Sequence, residues 1–333
     1  MDHPHSSDSE NESRRPPKRP RRSPSPPAQD QAYSRSMSSK PTNGHPPSSA
    51  LPPLSLSILG VEPIDEFIRE VADFIHHTIT TTNFSSELYG STSAQPHVEV
   101  EAKIGILKDK MSGQRLQLPV LTETILTPNT IDMRFESNMT AMQHKHINTL
   151  LNNLKQDPSV PNMTPIEYQH LHLVDTFYPP PEGSRDKEKI RVTRDEKTST
   201  VKECMKKVRL GNLDIYSPKR AADWRISVNL EIPVPPPLGT ATHSRRKDRL
   251  SYSHEEFVID LTQVTSTAGP NAKPEVLHEL EIEVARSDYL LSTALKRGDP
   301  NVSEAERSAF DELIRAFVNN ARILVRNAGD GWQ

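Results

Sequence analysis

The amino-acid sequence predicts an α+β protein in which antiparallel β-strands close into a barrel with a charged interior and helices pack outside it. Three observations predict this class. Several segments alternate polar and aliphatic residues, their charges are sorted by sign from one segment to the next, and amphipathic helices flank them. Because successive side chains of a strand point to opposite faces, each segment has one polar and one apolar face. A closed barrel with helices outside accommodates both faces.

Two segments place rows of carboxylates on one face. In HELEIEV, Glu279, Glu281 and Glu283 alternate with aliphatic residues, and in HVEVEAKIG, Glu99 and Glu101 do the same. Neighbouring like charges destabilise a sheet, so five carboxylates on two strands need a stabilising partner. A divalent metal ion is the simplest partner, because Mg²⁺ and Mn²⁺ take carboxylate oxygens as ligands.

Four further segments have polar faces of a different character. In KIRVT and RRKDRLSY the polar face is basic. In WRISVNLEI the polar face ends in a glutamate, and in FVIDLT it contains an aspartate. An open antiparallel sheet with its polar face in water is the alternative interpretation. Solvated faces usually mix charges of both signs, so strands sorted by sign favour one enclosed polar site for a metal ion and an anion. The residues on these faces are Lys189, Arg191 and Thr193; Arg245, Lys247 and Arg249; Arg225, Ser227, Asn229 and Glu231; and Asp260 and Thr262.

Helical periodicity predicts three helices around the strands. The first covers Glu62 to Thr82, the second runs from about Asn138 to Lys155, and the third follows a capping box formed by Ser303 and Glu306. Strand-like segments occupy the chain from about Tyr168 to Val284. The apolar side of the second helix is predicted to consist of Met142, Leu150, Leu151 and Leu154.

Composition divides the chain into a tail and one large domain. Residues 1–53 are rich in Ser, Pro and Arg and almost lack aliphatic residues, which predicts a disordered tail. Residues 54–328 form the predicted folded domain, and residues 329–333 are the C-terminal end. The tail contains RRPPKRPRR, which is a candidate nuclear-localisation or nucleic-acid patch or a chance run of charge. The net charge of −3 does not indicate a nucleic-acid binder, and it does not exclude a basic site balanced by acids.

The sequence excludes several other classes. No apolar run approaches the length of a membrane span, and the N-terminus lacks the apolar core of a signal peptide, so we expect a soluble protein that is not secreted. The single cysteine, Cys204, cannot form a disulfide within the chain and fits a reducing compartment. A cysteine phosphatase would hold its thiolate in an anion-binding loop, whereas Cys204 lies in a strand-like run without glycine and is predicted to be a buried structural thiol.

The order and spacing of these motifs resemble a known family. HVEVEAKIG, the Arg191 segment, WRISVNLEI, RRKDRLSY, IDLT and HELEIEV are similar to the corresponding motifs of the fungal RNA 5′-triphosphatases, the β subunits of mRNA-capping enzymes. These proteins belong to the triphosphate tunnel metalloenzymes. A single ExE motif is weak, but two at opposite ends of the domain with RxKxR between them are specific. The resemblance spans roughly residues 55–326.

The resemblance implies a fold and an activity. The fold is a closed eight-stranded antiparallel β tunnel with helices packed outside. The activity is metal-dependent hydrolysis of the γ-phosphate of triphosphate-ended RNA, with Mg²⁺ or Mn²⁺, as the first step of cap formation. It also implies a homodimer, partnership with the guanylyltransferase (the capping enzyme α subunit) and, together with the basic tail, a location in the nucleus.

The resemblance also assigns roles to residues. It makes Glu99, Glu101 and Glu283 the metal ligands and Glu231 the residue that orients the attacking water. Lys207 is assigned to phosphate, but the adjacent Lys206 remains an alternative, because local alternation does not choose between them. Val258 departs from the long polar or basic residue that is common at its position in the family. The other assignments are phosphate binding for Arg191, Lys247 and Arg249, with Arg245 and Arg225 nearby, support of metal-bound water for Glu279 and Glu281, and bracing of the basic side chains for Asp260 and Thr262.

Three alternatives differ from this activity. One is a non-catalytic RNA-binding or scaffold subunit of a capping complex, which would be expected to have lost a metal carboxylate. Another is a tunnel phosphohydrolase that acts on free nucleoside triphosphates or polyphosphate. The last is a salt-bridge lattice that only stabilises the barrel, although buried ion pairs often fail to offset their desolvation.

Overall fold

The computed structural model describes residues 54–82, 96–156, 164–180, 187–266 and 273–329. The chain divides into two compact units, residues 1–61 and 62–333. In the first unit the hydroxyl of Ser57 donates a hydrogen bond to the carbonyl of Val61 (2.6 Å). The predicted tail, residues 1–53, lies outside the described residues, as do residues 330–333 of the predicted C-terminal end.

The second unit contains ten strands and four helices among its described residues. In chain order they are α1 (Glu66–Thr81), β1 (His97–Asp109), β2 (Thr124–Leu126), β3 (Met133–Glu136), α2 (Ala141–Gln156), β4 (Glu167–Tyr178), β5 (Ile190–Asp195), β6 (Val201–Tyr216), β7 (Asp223–Pro233), β8 (His243–His254), β9 (Phe257–Ser266), β10 (Glu275–Val284), α3 (Ser287–Lys296) and α4 (Glu304–Arg326).

Eight of the strands form a closed antiparallel barrel. They follow one another in the order β10-β9-β8-β4-β5-β6-β7-β1, and pairing of β1 with β10 closes the ring. The predicted closed eight-stranded tunnel with helices outside is therefore confirmed. The short strands β2 and β3 pair with β6 and β1 beside the barrel and were not predicted. Closure brings the two acidic segments together, with Glu101 directly opposite Glu283.

Alternation in β1 shows how the strands build two environments. Val98, Val100 and Ala102 are buried in the main apolar core, where α1, α3 and α4 contact the barrel strands. Glu99 and Glu101, which occupy the intervening positions, line a cavity inside the barrel. The apolar core therefore lies between the barrel wall and the helices, while the charged faces turn inward.

The helices largely follow their sequence signals. The predicted capping box at the start of α4 is confirmed, because the amide of Glu306 donates to the hydroxyl of Ser303 (3.3 Å) and the amide of Ser303 donates to the Glu306 carboxylate (3.2 Å). Helix α1 begins at Glu66, later than predicted, because Asp65 caps it. Helix α3 was not predicted, and its N-cap residue, Arg286, makes no side-chain capping bond. No helix in the described part of the chain is both long and apolar enough to cross a membrane.

The predicted apolar side of α2 is correct for Leu151 and wrong for Met142 and Leu154. Met142 is 81% exposed and Leu154 is 45% exposed, whereas Ile147 and Leu151 are buried. Gln143 is buried on the same side as these two residues, and its side-chain oxygen accepts from the amide of Thr140 (2.9 Å). The helix therefore buries one polar residue that satisfies its own N-terminus, which hydrophobicity alone does not predict.

Candidate active site in the barrel interior

A cavity of about 490 Å³ lies inside the barrel, with acidic and basic side chains on its walls. Most of the predicted site residues line it. Arg225, Asp260 and Thr262 do not: the first lies at a neighbouring cavity, and the other two are buried behind Arg249. The predicted residues that line the cavity are Glu99, Glu101, Arg191, Lys207, Glu231, Arg245, Lys247, Arg249, Glu279, Glu281 and Glu283.

The acidic wall is formed by β1 and β10. The side-chain amide of Asn229 on β7 donates to both Glu99 (2.8 Å) and Glu101 (3.1 Å) and holds the two carboxylates side by side. Glu283 lies opposite Glu101 in the strand register. Burial, with the nearby carboxylates of Asp260 and Glu99, raises the pKa of Glu283 to about 8. Burial is the larger cause, and the two carboxylates add to it, so a cation beside Glu283 would stabilise its ionised form.

Two lysines partly neutralise this wall. The ammonium of Lys207 contacts Glu99 and lies 3.4 Å from Glu101. Lys103, on β1, contacts Glu281 and lies 3.1 Å from Glu101. Burial disfavours the charge of Lys103, but Glu281 and Glu101 outweigh burial and raise its pKa. Both lysines are therefore held as cations against the carboxylates.

The acidic wall fits a hard divalent cation. Glu99, Glu101 and Glu283 offer oxygen ligands only, which suits Mg²⁺ and Mn²⁺. Asn229 already orients two of these carboxylates, as residues around a metal site do. A bound cation would favour the ionised form of Glu283 and so oppose the burial that raises its pKa to about 8.

Glu279 and Glu281 differ although they share a strand face. Burial disfavours the charged form of Glu281, but Lys103 and Arg249 outweigh it and lower its pKa to about 2. Burial and the charge of Glu281 raise the pKa of Glu279. Glu281 is therefore an anion fixed between two cations, and Glu279 lies at the less compensated end of the row.

The basic wall is formed by β5 and β8. Arg191 donates from Nη2 to Glu231 (3.1 Å), and its Nε is buried with no hydrogen-bond partner among the residues that the structure describes. Arg249 contacts Asp260, and its Nε donates to the hydroxyl of Thr262 (3.0 Å). A buried N–H group without a partner is costly, so Arg191 is suited to an anion that enters the cavity.

A buried carboxylate that the sequence analysis did not identify organises the other basic side chains. Asp175 on β4 has no exposed surface, and its Oδ2 lies 3.0 Å from both Lys247 Nζ and Arg245 Nε. The hydroxyl of Thr193 donates to its Oδ1 (2.7 Å). Burial, together with Arg249, lowers the pKa of Lys247 to about 8, although Asp175 opposes the shift.

The structure shows where the side chains of Lys207 and Arg225 lie. Lys207 lies opposite Glu231 and lines the cavity, so it is the lysine of the pair that enters the tunnel. Arg225 has its Nε and Nη2 bound by Asp214 at 2.7 and 2.9 Å, and its guanidinium lies over the ring of Phe135. Arg225 lies opposite Lys103 in the strand register, but Asp214 neutralises its guanidinium and it does not line the cavity.

Comparison with known proteins agrees with this geometry. Residues 61–330 match the family model described as mRNA capping enzyme, beta chain. The chain belongs to the mRNA-capping enzyme β-chain family.

Individual members are similar over most of the domain. The mRNA-capping enzyme subunit beta of Schizosaccharomyces pombe is 36% identical over 84% of this chain and 87% of its own length. The corresponding subunit of Cryptococcus neoformans is 32% identical over 83% of this chain, which spans 65% of that longer protein. The solved structure of the S. pombe Pct1 RNA triphosphatase superposes with a TM-score of 0.71 and 34% identity, and covers 84% of this chain and 99% of that one.

In this capping-enzyme β chain, three residues of the site were not predicted from the sequence, each for a different reason. Lys103 lies two residues after Glu101 in HVEVEAKIG, so alternation alone places it on the same face. Asn229 lies two residues before Glu231, and its face was predicted without a role. Asp175 gave no usable signal, because its strand turns Leu171 and Leu173 toward the cavity and lacks a charged face.

The single cysteine of this β chain lies away from these groups. Cys204 is opposite Val192 in the strand register, on the face opposite to Arg191, and its Sγ lies 3.6 Å from the carbonyl of Pro235. It is partly exposed, so the expectation of a buried thiol is wrong. Burial raises the pKa of the thiol, which disfavours the nucleophilic thiolate.

We therefore expect Cys204→Ser to leave the rate of phosphate release within about twofold of the wild type, the range of a substitution that removes no buried interaction. Steady-state assays of the purified variant, with the melting temperature as a check on folding, would measure this. A loss of several orders of magnitude in a folded variant would indicate cysteine chemistry.

Proposed function

We propose that the protein is a metal-dependent RNA 5′-triphosphatase that hydrolyses the γ-phosphate of triphosphate-ended pre-mRNA, the first step of 5′ cap formation. The observation that carries the proposal is the cavity inside the barrel, in which a carboxylate wall faces a basic wall, in a chain of the capping-enzyme β family. Phosphoryl transfer requires a metal ion, cations around the phosphate oxygens and a positioned water, with little covalent work by the protein.

The acidic wall is proposed to hold the metal. Glu99, Glu101 and Glu283 would be its ligands, and Glu279 and Glu281 would accept hydrogen bonds from its bound water. When bound, Mg²⁺ or Mn²⁺ supplies a Lewis acid that neutralises charge on the phosphate oxygens.

The basic wall is proposed to bind the triphosphate. Arg191, Lys247 and Arg249 hold the phosphate oxygens and stabilise the charge that spreads over them in the transition state, and Lys207 and Arg245 extend this contact. Asp260 and Thr262 fix the guanidinium of Arg249 before substrate binds. Arg225 keeps its pairing with Asp214 and contributes at most to the charge near the tunnel.

Glu231 is proposed to orient the attacking water. It lines the cavity and is held by Arg191 at 3.1 Å, so its free oxygen can accept from a water beside the bound phosphate. The bond that forms joins the water oxygen to the γ-phosphorus, and the bond that breaks joins this phosphorus to the bridging oxygen. The products are inorganic phosphate and an RNA that ends in a diphosphate.

The direct test is phosphate release from triphosphate-ended RNA labelled at the γ-position, with Mg²⁺ or Mn²⁺, in the presence and absence of competing ATP. Release from RNA that resists a large excess of ATP supports the proposal. Preferential hydrolysis of ATP or polyphosphate would assign the site to free triphosphates. If the folded protein hydrolysed neither substrate, the result would favour a subunit that only binds RNA or acts as a scaffold.

The lysine with the lowered pKa gives a pH prediction. Since the pKa of Lys247 is about 8, the side chain loses its charge as the pH rises through that value. With saturating metal ion, we expect the KM for triphosphate-ended RNA to rise by up to about tenfold across two pH units centred there, which corresponds to the loss of one charged contact. Lys247→Arg is the control, because a guanidinium stays charged, and its KM is expected to lack this rise. An identical pH profile in both proteins would contradict the assignment.

The partners follow from the same proposal. The substrate is the 5′-triphosphate end of nascent RNA. The protein forms a homodimer, and this homodimer binds an mRNA guanylyltransferase. The complex acts in the nucleus. The relatives' name, subunit beta of the mRNA-capping enzyme, supports a partner subunit. Size-exclusion chromatography with light scattering, with and without the guanylyltransferase, tests both assemblies.

The basic run RRPPKRPRR lies in the tail, whereas every proposed site residue follows His97. We therefore expect deletion of residues 1–50 to leave phosphate release unchanged and to reduce accumulation in the nucleus. Replacing only the basic residues between Arg14 and Arg22 with Gln is the matched control and should reproduce the change in localisation. Loss of most turnover by a truncated protein with a normal melting temperature would contradict this prediction.

A further inference from the structure

The outer faces of β4 and β8 carry a cluster that the tunnel chemistry does not use. Leu171 and Leu173 of β4 line the cavity, so the alternate residues His170 and His172 lie on the outer face. On β8, Lys247 and Arg249 line the cavity, so Asp248 between them lies on the outer face too. The strand register places Asp248 directly opposite His172.

The three side chains converge. His170 Nε2 lies 2.5 Å from Asp248 Oδ1, and His172 Nδ1 lies 3.8 Å from the same oxygen. The two imidazole centroids are 4.4 Å apart. One ligand atom from each residue can be chosen so that all three lie within 4.8 Å of one another. No other group of His, Cys, Asp or Glu among the described residues meets this criterion.

A hydrogen-bonded His–Asp pair accounts for only part of this arrangement. His170 and Asp248 form that pair, but 3.8 Å is too long for a hydrogen bond from His172 to Asp248. His172 is nevertheless held with a ring nitrogen toward the same carboxylate. The side chains are 43%, 34% and 49% exposed for His170, His172 and Asp248, so an ion can reach them from solvent.

The donor set selects a class of metal. Two imidazoles and one carboxylate suit Zn²⁺ and its neighbours in the late first-row series, whereas Mg²⁺ prefers oxygen ligands and water. Tetrahedral zinc with bonds of about 2.0–2.1 Å places its ligand atoms about 3.4 Å apart. The observed distances from Asp248 Oδ1 to His170 Nε2 (2.5 Å) and to His172 Nδ1 (3.8 Å) bracket this separation. Three protein ligands leave the fourth position to water.

We propose that His170, His172 and Asp248 form a second metal site, on the outside of the barrel, that binds Zn²⁺ or a similar late first-row divalent cation. The site joins β4 to β8 on the face opposite to the Asp175–Lys247 ion pair. Binding therefore adds a link between β4 and β8, and the proposal does not rest on the proposed hydrolysis in the tunnel.

The test compares zinc binding by the untagged full-length protein and by the triple variant His170→Ala/His172→Ala/Asp248→Asn, each in excess Mg²⁺. Calorimetry and elemental analysis after dialysis would measure affinity and stoichiometry. We expect the triple variant to bind one zinc ion fewer per chain. Asp248→Asn alone is expected to weaken this binding at least about tenfold, since removing even a residue that only supports a metal ligand costs that much. Zinc bound by the tunnel carboxylates is common to both proteins and cancels in the comparison.

Two further measurements separate a built site from scattered surface binding. His146→Ala removes another exposed histidine, from α2, and is expected to retain the full zinc stoichiometry. Zn²⁺ is expected to raise the melting temperature of the wild type by a few degrees and to leave that of the triple variant nearly unchanged. Equal zinc affinity and stoichiometry in the wild type and the triple variant, or an equal loss in His146→Ala, would overturn the proposal.

Discussion

Removing divalent metal is expected to reduce phosphate release from triphosphate-ended RNA by at least about 10³-fold. A catalytic metal ion contributes several kcal/mol of transition-state stabilisation, and each 1.4 kcal/mol corresponds to about a tenfold change in rate. Glu99 and Glu101 share Lys207 as their cationic partner, and burial raises the pKa of Glu283 to about 8. A divalent cation bound by these carboxylates would add the positive charge that the phosphate oxygens need.

The experiment is an assay in excess chelator, followed by titration of Mg²⁺ or Mn²⁺ back into the same sample. Recovery of activity shows that the protein stayed folded, and circular dichroism of the chelated sample provides an independent control. Phosphate release that continues unchanged in excess chelator would contradict the metal assignment for the acidic wall.

The sequence predicted those strands whose charged residues face the barrel interior. In β1 and β10, alternation of Glu with aliphatic residues identified both the strand and the inward face, and closure of the barrel placed these segments side by side. Alternation is a local property of the chain. It therefore predicts the inward face of a strand wherever the opposite face is buried under helices. The same rule identified the basic face of β8.

Strand β4 shows where this rule fails. It turns Leu171 and Leu173 inward and His170 and His172 outward, and its buried Asp175 holds Lys247 and Arg245. The importance of Asp175 depends on pairing between β4 and β8, whose residues are far apart in the chain. No local pattern contains that information.

Arg225 and Lys207 depend on the register between β6 and β7. This register shifts between Arg209 and Gly211, where the ladder is irregular. Beyond the shift, Asp214 lies opposite Arg225 and binds its guanidinium. An irregularity of one residue exchanges the faces of a strand, so the side of each residue cannot be counted along β6 from the sequence alone.

The division of labour between two carboxylates of the site leads to the second large effect. Glu231→Gln is expected to lower kcat by about 10²-fold or more, the usual range for an acid–base group, with little change in the metal requirement. Glu231 is held by Arg191 and lies opposite Lys207 in the register, so its surroundings are basic. A carboxylate between cations is suited to orient a water beside the phosphate.

Glu101→Gln is the matched comparison, because it makes the same chemical change on the acidic wall. Glu101 is buried, is held by Asn229, and lies opposite Glu283. We expect its replacement to raise the metal concentration needed for half-maximal activity, with partial rescue by excess Mn²⁺, since a neutral amide is a weaker ligand for a divalent cation.

Titrations of Mg²⁺ and Mn²⁺, followed both by activity and by calorimetry, separate the two roles. Glu231→Gln should saturate at the wild-type metal concentration and remain slow, whereas Glu101→Gln should recover as metal is added. An equal shift of the metal requirement in both variants would make Glu231 a metal ligand. The ion pair between Glu231 and Arg191 would then break when metal binds, and the water would have to be oriented by a residue other than Glu231.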